Sequence, residues 1–239
     1  MRHLAVVPIL LAAWLAASPA VAAPPPQTVS LRSEDGVTLL GTLYLPARPG
    51  PAVILLHMQT RSREDWQALG ARLAESGFAA LAIDFRGHGA SDPPPAGTGG
   101  PDMSRWVLDV KAARSYLAAR SDVVQGRVGL IGASIGANVA ILFAPGDPSV
   151  RSLALLSAGL DYRGLRTEAA MGKLGGRSAL LVASDEDSYA ANSARRLAKQ
   201  EGGTRELRLL TGAGHGTTML VRQGDLAAAL VDWFRRTLL

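Results

Sequence analysis

The chain has 239 residues, of which 48% are hydrophobic, 19% charged and 5% aromatic, and its formal net charge is +5. This length and this apolar fraction suit one packed α/β domain, and they exclude the disordered, collagen-like and disulfide-rich classes of protein. Since the sequence contains no cysteine, it also excludes a thiol nucleophile, zinc–thiolate and iron–sulfur sites, and lipid attachment through an N-terminal cysteine.

The positive charge comes from 22 arginines and 3 lysines, set against 20 acidic residues. The longest basic runs are the pairs Arg195-Arg196 and Arg235-Arg236. Dispersed arginines are typical of a solvated surface, and so few aromatic residues offer little for stacking nucleic-acid bases. We therefore predict no nucleic-acid partner.

The first 22 residues have the pattern of a secretory signal peptide. Arg2 gives a basic start, residues 4–17 are uncharged and mostly apolar, and Ala20-Val21-Ala22 is a small-x-small cleavage site. We predict cleavage after Ala22, export to the periplasm or the cell exterior, and no membrane span in the mature chain. The alternative is an uncleaved anchor, because the uncharged stretch continues to the prolines at 24–26.

Beyond these prolines, the hydrophobic pattern alternates between the periods of strands and helices. Two alternating runs joined by Glu34-Asp35-Gly36 predict an antiparallel hairpin. The later strands are short apolar runs, as is typical of parallel strands that are buried on both faces, and helices separate them. We predict strands at 28–33, 37–45, 52–57, 78–83, 127–131, 153–156, 178–183 and 205–210, and helices at 64–76, 104–120, 134–143, 189–200 and 225–238. This order predicts one α/β domain over residues 23–239, with a mostly parallel, doubly wound sheet.

Functional residues of such a sheet lie in the loops that follow its strands. Gly132-Ala133-Ser134-Ile135-Gly136 comes directly after an apolar strand and opens a helix. Glycines two positions either side of a serine permit a tight turn that exposes the hydroxyl, and the N–H of Ile135 then lies at a helix N-terminus, where it can stabilise an oxyanion. We interpret Ser134 as a nucleophile; a helix cap, or a chance match in a glycine-rich sequence, is the alternative.

A serine nucleophile needs a base, and the sequence contains four histidines. His3 belongs to the predicted signal peptide, while His57 and His88 lie upstream of Ser134. His215 lies between two glycines, directly after the 205–210 strand, and this placement suits an imidazole presented beside the serine. We therefore predict His215 as the base.

The carboxylate that would orient this imidazole is expected after the strand at 178–183. The loop reads Ser184-Asp185-Glu186-Asp187-Ser188 and offers three acids. The role requires a carboxylate that accepts the imidazole N–H, fixes its tautomer and stabilises the imidazolium. A helix cap is the other interpretation of Asp187, and a turn residue that of Asp185, so these residues leave the choice open.

Together these features resemble the α/β-hydrolase fold family, in particular its small dienelactone-hydrolase-like serine hydrolases. The resemblance covers nearly the whole chain after residue 22. It rests on the leading hairpin, the Ser134 turn, the acidic loop, Gly214-His215-Gly216 and the motif Asp84-Phe85-Arg86-Gly87-His88-Gly89-Ala90-Ser91.

The resemblance implies roles for residues that spacing alone does not assign. It favours Asp187 over Asp185 as the triad acid. It also implies a second oxyanion donor after the 52–57 strand, which is the N–H of Met58 or of Gln59. Related proteins insert a lid between residues 158 and 177, and since this segment is short here, we expect a minimal lid and an open cleft.

The sequence thus predicts an exported serine hydrolase that cleaves carboxylic esters, lactones or thioesters of small substrates through an acyl-enzyme intermediate. The alternatives are a serine peptidase of the same fold, with an amide substrate, and a non-catalytic binding protein on the same scaffold. We interpret Arg86 and His88 as structural. No spacing typical of metal ligands or of a nucleotide-binding loop occurs, so we expect no metal and no cofactor.

Overall fold

The computed structural model describes residues 23–94 and 102–239. The predicted signal peptide lies outside the described residues. The strands are β1 (Gln27–Arg32), β2 (Thr38–Tyr44), β3 (Gly50–Leu56), β4 (Ala79–Ile83), β5 (Val123–Ala133), β6 (Val150–Leu156), β7 (Asp161–Tyr162), β8 (Leu165–Arg166), β9 (Ser178–Ser184) and β10 (Arg205–Leu210). The helices are α1 (Gln67–Glu75), α2 (Trp106–Ala118), α3 (Ile135–Phe143), α4 (Glu168–Gly172), α5 (Ser188–Ala198), α6 (Thr218–Arg222) and α7 (Leu226–Leu238).

Eight strands form the main sheet, in the order β1-β2-β4-β3-β5-β6-β9-β10. The first two pairs in this order, β1 with β2 and β2 with β4, are antiparallel, and all the pairs from β4 to β10 are parallel. The predicted fold class is therefore confirmed, including its N-terminal antiparallel hairpin. Because β3, β5, β6, β9 and β10 are parallel neighbours, the loops after them meet at one edge of the sheet.

Each face of the sheet carries its own hydrophobic core, because successive side chains of a strand point to opposite faces. In β3, Ile54 packs with one core and Leu55 with the other. Helices α2, α3 and α5 cover the first core, whereas α1 and α7 cover the second. Trp233 of α7 is fully buried, and its indole N–H donates to the carbonyl of Leu153 in β6 at 3.0 Å, which fixes this helix on the sheet.

The structure differs from the sequence prediction mainly in short elements. The β7–β8 hairpin and α6 were not predicted, since elements of two to five residues are too short to show a hydrophobic period. Strand β5 begins four residues before the predicted start, at Val123, and its pairing with β6 shifts register near Val128. The helix predicted at 64–76 begins as a 3-10 turn, Arg63–Trp66. No helix within the two described segments is long and apolar enough to cross a membrane.

Arg86 ties the loop after β4 to α2 and to the β1–β2 turn. Its side chain is 2% exposed, and its guanidinium lies 2.6 Å from Asp109 and 2.6 Å from Asp35. The backbone N–H of Arg86 also donates to Asp109, at 3.0 Å. These contacts agree with the interpretation of Arg86 as structural, because they join the loop after β4 to α2 and to the β1–β2 turn.

Replacing Asp109 by Asn should lower the free energy of unfolding by about 3 kcal/mol, because it removes one carboxylate from a buried guanidinium. Urea denaturation measures the loss. The matched control is Glu206→Gln, which breaks an exposed pair with Arg236 (2.7 Å) and should cost less than about 1 kcal/mol. Equal losses in the two variants would contradict a larger contribution of the buried Arg86 contacts to the free energy of unfolding.

Candidate active site

Ser134 lies on a tight turn between β5 and α3. Its backbone adopts φ 52° and ψ −120°, which is the region that a residue with a side chain rarely occupies. Its N–H donates to the carbonyl of Leu156 in β6 at 2.8 Å, so the turn is fixed to the neighbouring strand. Ser134 is the N-cap residue of α3 by position, but its side chain makes no capping hydrogen bond to the helix.

The two flanking glycines are required by close backbone approaches. A Cβ on Gly132 would collide with the carbonyl oxygen of Gly136, and a Cβ on Gly136 would lie 2.5 Å from the carbonyl oxygen of Leu56. Any side chain at either position would push the start of α3 away from the ends of β5 and β3. The glycine spacing is thus a packing requirement of this turn.

His215 follows β10, and its Nδ1 lies 2.5 Å from Oδ2 of Asp187. With the Nδ1–H donating to this carboxylate, Nε2 keeps its lone pair and can accept a proton. The Asp187 side chain is 18% exposed and that of His215 is 41% exposed, so the imidazole is open to a substrate while its partner is shielded. Asp187 also caps α5, since its Oδ1 accepts the N–H of Ala190 at 3.3 Å.

The other two acids of this loop hold the backbone around His215. Asp185 accepts the N–H of Gly212 at 3.3 Å, and Glu186 accepts the N–H of Gly214 at 2.7 Å. Of the three candidate acids, Asp187 is therefore the one that the structure brings to the imidazole.

The His215 loop also lies against the Ser134 turn. A Cβ on Gly216 would lie 3.6 Å from Cβ of Ala133 and 2.6 Å from Sδ of Met58. The residues that adjoin His215 and Ser134 in sequence are therefore packed together, with Met58 beside them. The structure thus gathers the loops of β3, β5, β9 and β10, which carry every predicted site residue.

Three residues that sequence reasoning missed hold this loop in place. Ser157, after β6, accepts the N–H of Gly216 at 3.0 Å, and Ser184, at the end of β9, accepts the N–H of Ala213 at 2.9 Å. Asp65 accepts the hydroxyl of Thr217 at 2.5 Å. Fully buried serines at the carboxyl ends of apolar strands are the sequence signal that could have found Ser157 and Ser184.

The predicted oxyanion donors are backbone N–H groups in the loops that follow two adjacent strands, β3 and β5. Ile135 begins α3, and Met58 and Gln59 follow β3, the direct neighbour of β5. Among the residues that the structure describes, none of these three N–H groups has a hydrogen-bond acceptor. They are therefore free to bind an oxygen that comes to lie beside Ser134.

His57 is fully buried and fixes the start of the loop after β3. Its Nδ1–H donates to the carbonyl of Met58 at 2.7 Å, and its Nε2 accepts the N–H of Phe85 at 3.0 Å. Burial lowers the pKa of His57 from 6.5 to about 4. With both ring nitrogens engaged, His57 is structural. His88 packs against it, with ring centroids 5.2 Å apart.

In the part of the chain that is described, no group of three or more His, Asp or Glu residues could hold a metal ion. Between β6 and β9 the chain forms the β7–β8 hairpin and the five-residue helix α4, so the lid is small, as predicted.

The burial of His57 predicts a pH dependence. The folded protein keeps this imidazole neutral down to about pH 4, whereas the unfolded chain binds the proton near 6.5. The contribution of His57 to stability is therefore complete above 6.5 and falls as the pH drops toward 4. Titration of the His57 ring by NMR should give a midpoint near 4; a midpoint near 6.5 would contradict this assignment.

Comparisons with known proteins identify relatives of this chain. A family model described as serine aminopeptidase, S33, matches residues 47–181. An uncharacterized protein of Mycobacterium tuberculosis is 30% identical over 128 residues, which cover 52% of this chain and 43% of that protein. The bifunctional esterase/perhydrolase DCH of Acinetobacter calcoaceticus is 33% identical over 128 residues, which cover 53% of this chain and 43% of that protein.

Among solved structures, a dienelactone hydrolase from Anabaena variabilis has a TM-score of 0.73 at 21% identity, over 90% of this chain and 99% of that chain. This similarity confirms the predicted α/β-hydrolase fold. The sequence matches span less than half the length of the two curated relatives. The family model, however, matches more than half of this chain, and the chain therefore belongs to the serine aminopeptidase S33 family of α/β hydrolases.

Proposed function

We propose that this protein is a serine hydrolase that cleaves carboxylic esters, lactones or thioesters of small substrates through an acyl-enzyme intermediate. The observation that carries the proposal is the pair formed by His215 and Asp187, packed beside a serine in a strained turn. The esterase activity named for the Acinetobacter calcoaceticus relative supports the choice of substrate class.

In the proposed reaction, Ser134 Oγ attacks the substrate carbonyl while Nε2 of His215 takes its proton. Asp187 stabilises the imidazolium through the Nδ1–H bond. The N–H of Ile135, with that of Met58 or Gln59, binds the oxygen that becomes negative. His215 then gives the proton to the leaving group, and a water molecule, activated by the same imidazole, releases the acyl group.

A serine aminopeptidase is the second candidate, and the description of the family favours it. Recognition of a free amino terminus requires a carboxylate whose charge is not already paired with a cation. Three acids near the site, Asp65, Asp161 and Glu186, each form an ion pair with an arginine. Asp185 forms no ion pair within the described residues and accepts the N–H of Gly212. We favour an ester over an aminoacyl amide because three of these four acids are already paired and because a relative is named as an esterase.

Replacing Ser134 by Ala should remove nearly all hydrolysis of p-nitrophenyl esters of short acids, because no acyl-enzyme can form. Labelling with a fluorophosphonate probe measures the nucleophile directly: the wild type should label and the variant should not. Equal labelling of both proteins would exclude Ser134 as the nucleophile. A wild-type protein that neither labels nor hydrolyses would support the non-catalytic binding protein instead, and faster cleavage of aminoacyl p-nitroanilides would support the peptidase.

A matched pair of variants tests the acid. Asp187→Asn should lower kcat on the order of 10⁴-fold, because the imidazole loses its orienting carboxylate. Asp185→Asn, two positions away, removes the same charge from a side chain that contacts backbone rather than His215, and we expect most of the activity to remain. A larger loss in Asp185→Asn would contradict the assignment of Asp187.

We also propose that residues 1–22 direct export of the protein to the periplasm or the medium and are then removed. Mass spectrometry of the exported protein should find Ala23 at the N-terminus. An Ala22→Arg variant, in which the small residue at the cleavage site is lost, should keep these residues and remain with the membrane. Wild-type protein that retains residues 1–22 in the membrane fraction would instead support the uncleaved anchor.

A further inference from the structure

The hairpin β7–β8 rises from the end of β6 and is fastened to α5. The hydroxyl of Tyr189 donates to the carbonyl of Asp161 at 2.8 Å and accepts the N–H of the same residue at 2.9 Å. At the tip, the Arg163 Nε–H donates to the side-chain oxygen of Gln59 at 3.1 Å, in the loop after β3. In the sheet, β5 lies between β3 and β6. A hairpin that follows β6 and contacts the loop after β3 therefore crosses over the end of β5, where Ser134 lies.

Tyr162 of this hairpin lies beside the proposed catalytic residues. Its ring meets that of His215 edge-on, with centroids 6.3 Å apart at 81°. Its O–H donates to the carbonyl of Ser157 at 3.2 Å, which is longer than usual for an O–H···O hydrogen bond. The ring packs over Gly159, where a Cβ would lie 2.7 Å from it, so the absence of a side chain at this position allows the phenol to reach the site.

The phenol of Tyr162 is a permanent donor. Burial raises its pKa above the ordinary value, and the negative charge of Asp187 raises it further. The group therefore keeps its proton at neutral pH and cannot serve as a base.

The order of the strands locates Tyr162 relative to the predicted oxyanion donors and to His215. The oxyanion donors of the β3 loop lie on one side of β5, whereas β6, β9 and β10 lie on the other. In acyl transfer the carbonyl oxygen points to the oxyanion donors, and the leaving group lies toward the base that protonates it. The Tyr162 ring contacts His215 and its hydroxyl donates to Ser157, directly after β6, so this side chain lies on the side of β5 away from the β3 loop.

We propose that Tyr162 is a further catalytic residue, whose O–H donates a hydrogen bond to the leaving-group oxygen of the substrate as its bond to the acyl carbon breaks. The proposal rests on the serine-hydrolase function proposed above. The bond between Ser134 Oγ and the acyl carbon has formed, the electron pair of the breaking bond goes to the leaving oxygen, and His215 delivers the proton to that oxygen. Tyr162 keeps its own proton and exchanges the carbonyl of Ser157 for the substrate.

The test is Tyr162→Phe, assayed on esters of one short acid with p-nitrophenol, trifluoroethanol and ethanol. The variant keeps the ring that packs over Gly159 and loses the donor. We expect kcat/KM to fall about tenfold for the ethyl ester, whose alkoxide needs stabilisation, and less than about twofold for the p-nitrophenyl ester, whose anion is already stable. The dependence of log kcat/KM on the pKa of the leaving alcohol should thus become steeper.

Tyr189→Phe is the matched control. It also removes one phenol O–H, and it loosens the hairpin at Asp161 without removing a group from the leaving-group side. A structural effect of this kind should lower the rates for all three esters by the same factor. If Tyr162→Phe also changes them uniformly, or leaves them unchanged, Tyr162 does not act on the leaving group.

Fluorophosphonate labelling separates this failure from that of the proposed function. If Tyr162→Phe labels to the same extent as the wild type and Ser134→Ala does not label, a uniform effect of Tyr162→Phe on the esters overturns only the role of Tyr162. If the wild type does not label and hydrolyses none of the esters, the proposed function and the role of Tyr162 fall together.

Discussion

The close approach of α3 to the ends of β3 and β5 is the constraint on which the rest of the site depends. At Gly136 the helix backbone comes so near the carbonyl of Leu56 that no side chain fits between them. This contact leaves one residue, Ser134, to turn the chain from strand to helix, in a backbone conformation that costs on the order of 1–3 kcal/mol. The hydrogen bond from Ser134 N–H to Leu156 and the buried sheet around the turn hold it there.

The same approach organises the groups around the serine. It brings the loop after β3 beside the first turn of α3, and both of these segments carry N–H groups without an acceptor in the described residues. His57 holds this loop in place, because its ring nitrogens bond to the backbone of Met58 and of Phe85. On the other side, Ser157 and Ser184 hold the His215 loop from the ends of two buried strands. A strained turn is thus surrounded by side chains whose contacts are fixed, as preorganisation of a reactive site requires.

Much of this arrangement could be predicted from the sequence, and the rest depends on contacts between distant residues. The strand and the turn at Ser134 are encoded locally. The apolar run before Ser134 specifies the strand, and the glycine spacing specifies the turn. The spacing of the acidic loop, in contrast, allows Asp185, Glu186 or Asp187 to face the imidazole. The direction in which each side chain points is set by the start of α5, which Asp187 caps, and by backbone N–H groups about 28 residues away. The catalytic roles of these residues stay predictions.

The sequence by itself determined the α/β class, the order of the principal strands and helices, the family and the position of the tight turn, because hydrophobic period and glycine spacing act over a few residues. Only the tertiary structure decided which acid meets His215, that His57 is a buried support, and that a two-residue strand carries Tyr162 to the same edge of the sheet. These outcomes depend on the strand order, which brings loops far apart in the chain together, and no local pattern in the sequence encodes that meeting.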